Sequence, residues 1–145
     1  MKKLFMALTM GLALVASAGL VFGNSFYVPY LLETTGTGGG AYNGDVFMMN
    51  TTGADISVTV YLFNLDGSVT SVNGVSQNLP AGATTVISVE SLLGTISGAA
   101  IVNMMVTSTD TNFSGENIAA FAAITGFLPG GGTAGYTINT LWKAI

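Results

Sequence analysis

The sequence has no cysteine and no histidine, and its only basic residues are Lys2, Lys3 and Lys143. Without cysteine there can be no disulfide, thiolate zinc site, thiol nucleophile or lipidated-cysteine anchor. Without histidine the chain lacks the commonest general base and the commonest transition-metal ligand. Three cations cannot neutralise a run of phosphates, so no nucleic-acid partner is expected. Charge is scarce altogether: 7% of residues carry one, where about a quarter is usual. Half of the residues are hydrophobic, too many for a disordered chain. The 20 glycines have no three-residue period, which excludes collagen. A length of 145 residues fits one domain around one core.

Lys2-Lys3 precede an uncharged run, LFMALTMGLALVASAGLVF, over residues 4–22. A basic start, an apolar middle and Ala16-Ser17-Ala18 compose a secretory signal peptide over residues 1–18, with a second cleavage position after Gly23. The same run is just long enough for a transmembrane anchor, but the small residues crowding its end favour cleavage. The protein is therefore expected to be secreted or at the cell surface, meeting the membrane only through the leader. After cleavage Lys143 stands against seven carboxylates (Glu33, Asp45, Asp55, Asp66, Glu90, Asp110 and Glu116), a net charge of −6. Thr, Ser, Asn and backbone must then solvate the surface. So little charge fits faces packed against copies of the chain, and equally a plain neutral surface.

The clearest local signal is Asp55 to Gly82. Ile56, Val58, Val60 and Leu62 alternate with Ser57, Thr59, Tyr61 and Phe63, the period of a strand with one face in a core. Asn64-Leu65-Asp66-Gly67 supplies a turn, with Gly67 free to take positive φ, and a polar strand returns from Ser68 to Leu79. Before this hairpin, residues 25–33 (SFYVPYLLE) form an aromatic strand interrupted by Pro29. Because proline cannot donate to a ladder, that strand is expected at an edge or with one free side. A glycine-rich loop follows over 34–40, then a strand over 45–52 that is apolar on both faces. Further strands are expected at 84–89, 98–109 and 135–142, with 90–94 either one helical turn or a crossing loop. Residues 118–128 are nearly all apolar, so periodicity does not separate strand from helix there; length and place among strands favour a strand. The expected fold is all-β, a single antiparallel sandwich of about eight strands.

Asn50-Thr51-Thr52, Val58-Thr59-Val60-Tyr61, Asp66-Gly67-Ser68 and Leu79-Pro80-Ala81-Gly82-Ala83-Thr84 occur in that order. In this the chain resembles the immunoglobulin-like β-sandwich modules of secreted and cell-surface bacterial proteins. The resemblance implies a structural or adhesive role. The antibody-type disulfide and the cysteine pair of chaperone–usher pilins are both missing, and Leu128-Pro129-Gly130 does not complete a sortase signal.

Candidate sites are few. Asp110, Asn112 and Ser114, with Gly115 at the sixth position, copy the first half of a calcium loop. The twelfth position is Phe121 instead of a bidentate Glu, so an Asx-rich turn is the plainer reading. Two of the seven acids could flank a glycosidic bond, but most lie beside turn residues. A serine nucleophile would need Lys143 as its base. No enzyme and no cofactor other than calcium is therefore expected. Asn50-Thr51-Thr52 and Asn112-Phe113-Ser114 match the N-glycosylation sequon.

The remaining chemistry is apolar. Phe26, Tyr27, Val28, Tyr30 and Leu32 on the first strand, with Tyr61 and Phe63 opposite the apolar stripe, are expected to make contacts between subunits. The expected function is a structural or adhesive surface protein, forming homo-oligomers or filaments by β-strand addition. The alternative is a calcium-dependent or carbohydrate-binding module that takes a polysaccharide or cell-surface ligand on its aromatics.

Overall fold

The computed structural model describes residues 24–34, 41–94, 96, 98–128, 132–138 and 141–144. The leader expected over residues 1–18, or to 23, lies outside these, as does most of the glycine-rich loop. Among the described residues the chain runs β1 (Asn24–Thr34), β2 (Ala41–Asn50), β3 (Ile56–Asn64), β4 (Val69–Leu79), β5 (Thr84–Ser88), α1 (Val89–Leu93), β6 (Ala99–Ser108), β7 (Ile118–Leu128), β8 (Gly132–Ile138) and β9 (Leu141–Ala144). The fold is all-β and every pairing is antiparallel.

The strands form one curled sheet in the order β4-β3-β6-β1-β2-β7-β8, with β5 also on β2 and β9 also on β1. Its corner is at β1 and β2, which meet at the pair Thr34↔Tyr42. Two limbs result: β4-β3-β6-β1-β9 and β5-β2-β7-β8. Their inward residues form one cluster, with Ile56, Val58, Val60 and Leu62 of β3 beside Val102, Met104 and Val106 of β6. The second limb contributes Val46 and Met48 of β2 and Ile118 and Ala122 of β7. Each large side chain buried this way contributes about 1.5–3 kcal/mol, which explains why the alternation in β3 sets its register so firmly. The turn after it closes as expected: Gly67 takes φ 86° and donates its N–H to Asn64 O at 2.9 Å.

One expectation is corrected in detail, and three that stood open are decided. β1 is not an outer edge, since it pairs with β6 along its length, but its other side is taken only over Asn24–Tyr27 by β9 and at Thr34 by β2, so Pro29 lies where the strand has one free side, the second form expected. Pro29 is tolerated because it sits in a bulge, where Pro29 and Tyr30 together oppose Asn103 and no ladder donor is required. The strand expected over 135–142 is two strands, because 132–138 pairs with β7 on one limb and 141–144 with β1 on the other. Of residues 90–94, Glu90–Leu93 are one helical turn rather than a crossing loop, capped by Gly94, with α1 buried at Val89. Residues 118–128 are a strand, paired with the whole of β2.

Candidate functional site

The bulge decides what β1 presents. Phe26 and Val28 point into the core; the extra residue then resets the alternation so that Leu31 and Glu33 point inward too. Tyr30 takes φ 59°, a left-handed conformation costly for a residue with a Cβ. Its N–H donates to Asn103 Oδ1 at 3.0 Å and its ring is 50% exposed. Tyr27 and Leu32 are half-buried on the outer face. The aromatic stretch singled out from sequence is thus divided: Phe26 and Val28 fill the chain's own core, while Tyr27, Tyr30 and Leu32 face outward. At its start β1 is tied to β6 by Ser25, whose Oγ donates to Thr107 Oγ1 at 3.2 Å, and by Thr107 Oγ1, which donates to Asn24 O.

At the other end of β1 lies a group that the sequence did not distinguish. Glu33 is 1% exposed, and its Oε2 accepts the N–H of Gly44 at 3.2 Å. Burial pushes its carboxyl from the ordinary 4.5 up to about 6; the Gly44 N–H opposes the shift, and the carboxylates of Glu90 and Asp45 add to it. Gly44 is there because β2 crosses β1 closely: a Cβ at this position would lie 3.0 Å from Leu32 O. Thr34 completes the corner by accepting the Tyr42 N–H on Oγ1 at 2.8 Å.

Tyr61 and Phe63 face outward from β3, as the alternation required, but both are half-buried. Their rings stack with centroids 6.3 Å apart, and the Tyr61 ring lies over the bare backbone of Gly74 on β4. The more exposed aromatic surface is elsewhere. On the outer face of the second limb Phe47 and Phe121 stack at 4.7 Å and 10°. Both lie in runs that the sequence showed as apolar throughout, so nothing local marked which face would remain outside.

The turn over 110–117 holds itself together. Asp110 Oδ1 accepts the Asn112 N–H at 2.9 Å, Asp110 O accepts the Phe113 N–H, and Ser114 O accepts the N–H of Ile118. Phe113 is buried beneath it. Among the described residues no three carboxylates are close enough to hold a metal ion. Asn50 is fully buried, and its Nδ2 donates to Ala54 O and Leu79 O while its Oδ1 accepts from the Thr52 N–H and hydroxyl. That amide is a structural junction, with no room for the glycan its sequon suggested. Among the described residues no helix is long and apolar enough to cross a membrane.

No family model matches the chain, and no curated protein does. Among solved structures the chain is similar to the crystal structure of Thermotoga maritima 1070, at 10% identity and a TM-score of 0.52. The match covers 81% of this chain and 94% of that one, and at such low identity the likeness is one of fold alone.

Proposed function

We propose that the chain is an exported, non-enzymatic structural protein of the cell surface, an immunoglobulin-like sandwich that assembles with its own copies by exchanging β1. The supporting observation is the way β1 is held. Its ladder partners, β6 and β9, lie far away in sequence, whereas it touches its sequence neighbour β2 at one register position. The residues joining it to β2 are Thr34 to Gly40, four of them glycine. Every contact that Phe26, Val28 and Leu31 make inside one chain is available to the same residues of another. Strand exchange then costs little beyond the entropy of association, because the core it completes is unchanged. The leader and the scarcity of charge fit the same role.

A disulfide reports which chain supplies β1. Tyr27 and Met105 are register partners on the outer face of β1 and β6, at the spacing of cross-strand neighbours that a disulfide bridges. The chain is otherwise free of cysteine. Oxidised Tyr27→Cys/Met105→Cys protein is expected to give a ladder of covalent multimers on non-reducing gels. Cross-links confined to single chains, in a protein that forms no fibres by negative-stain microscopy, would overturn the proposal.

A further inference from the structure

The outer face of β5-β2-β7 carries a ridge and a groove side by side. Register places Val86, Phe47 and Phe121 in one row across three strands, with Thr84, Met49 and Ala119 in the next. The first row is tall: Phe121 is 50% and Val86 51% exposed, and the rings of Phe47 and Phe121 stack on each other across the strand pair. The second row is low on the β7 side, where Ala119 and Ala120 floor an open groove of about 310 Å³ walled by Phe47, Met49 and Phe121. Such a groove accepts one aromatic side chain.

We infer that this face is an interface between two copies of the chain, the Phe121 ridge of each seated in the Ala119–Ala120 groove of the other. Three observations favour a second copy. An isologous contact requires knob and hole within one patch, and here they are adjacent. Charge also fits: the outward positions of β2, β5 and β7 carry one charged residue, Asp45, so the face offers little to a cationic or anionic partner. The area suffices as well. β2 and β7 pair over ten residues. With β5 and β8 alongside, at about 3.4 Å per residue and 4.8 Å per strand, the face has a footprint of about 500 Å². Two such faces cover about 1,000 Å² before side-chain relief is added, the size at which specific interfaces begin. Left open, the same patch would be an aggregation liability.

This contact does not depend on how β1 pairs, and one pair of experiments keeps the two apart. Sedimentation of the purified full chain is expected to show self-association that Phe121→Asp weakens by about a hundredfold or more, since a carboxylate would be buried without a partner. Thermal unfolding of the variant, compared at dilutions where both proteins are monomeric, should fall only by the small cost of the lost Phe47 stack, because position 121 lies outside the core. Ala119→Cys in the cysteine-free chain should form a covalent dimer on oxidation, and adding Phe121→Asp should abolish it. Chains formed by β1 exchange would survive Phe121→Asp but stay single. A wild-type chain that sediments as a monomer at every attainable concentration would overturn the inference. So would unchanged association of Phe121→Asp, and so would a monomer that floats with phosphatidylcholine vesicles, which would assign the face to lipid.

Discussion

Replacing Glu33 with glutamine isolates one buried carboxyl from the rest of the chain's titration. The folded pKa of about 6 lies above the ordinary 4.5. The folded state therefore keeps the proton through that interval after the unfolded chain has lost it, and stability falls as pH rises from one value to the other. Below about pH 4.5 the group is protonated in both states and imposes no penalty. Above about pH 6 the full penalty stands, about 2 kcal/mol for a displacement of this size. The glutamine amide retains an oxygen for the Gly44 N–H and carries no charge against Glu90 and Asp45. The Glu33→Gln variant should be more stable than the wild type by about 2 kcal/mol at neutral pH and by almost nothing at about pH 4. In a domain of this length that is about 5–10 °C in Tm. Urea unfolding followed by circular dichroism across the pH range measures it. Asp55 and Asp66 titrate with the opposite sign. Ala81 and Asn78 hold Asp55 low, and Ser68 holds Asp66 low, so their contribution is lost as pH falls through their depressed values. Both are present in each protein and cancel in the difference. An advantage of Glu33→Gln that is constant with pH, or that grows as pH falls, would refute the burial of a titrating carboxyl at the corner.

Asn50→Ala should cost about 1–3 kcal/mol in urea unfolding, because the buried Leu79 carbonyl loses the amide donor it now has, while the exposed Ala54 carbonyl keeps the Thr52 hydroxyl. Gly44→Ala places a methyl 3.0 Å from Leu32 O and 3.3 Å from Leu31 Cβ, both belonging to packed strands. A loss of about 1–3 kcal/mol is expected, with no change in the unfolding slope. Calcium should leave the melting temperature unchanged, because among the described residues no three carboxylates come together to hold an ion at Asp110. A rise that Asp110→Ala abolishes would restore the loop as a calcium site.

How much of this was legible in the sequence depended on whether the signal was local. The β3–β4 hairpin was readable because alternation and turn chemistry both act within a few residues, and Ile56 through Leu62 fill the core as their period required. The strand at 118–128 was ambiguous because an apolar run carries no period. What made it a strand is its ten-residue pairing with β2, a long-range fact. Pro29 was legible as a break in the ladder on a strand at an edge or with one free side, but the bulge that seats it needs Asn103 across the sheet and leaves no trace in nine contiguous residues. Glu33 was one carboxylate among seven until β2 closed over it at Gly44. The Phe47–Phe121 pair is likewise created by register alone, by residues 74 positions apart in sequence.

The closure of the first described strand by the last has a consequence for the order of folding. Asn24 pairs with Ser108 on one side and with Ala144 on the other. Apart from the corner that Glu33 and Thr34 make with Tyr42 and Gly44, no local contact can therefore stabilise β1 early, and its slot is complete only when almost the whole chain is in place. Contacts of such sequence separation make folding slow, because the loop-closure entropy precedes any return. During that interval β3, β4 and β6 can already be paired while the groove beside β6 stands vacant. Under the proposed exchange, a copy's own β1 and a neighbour's would compete for it at their respective effective concentrations. The partition between closed monomers and linked chains would then be set by crowding while the strands are still finding their places, and would persist because reversing it means reopening the core around Phe26.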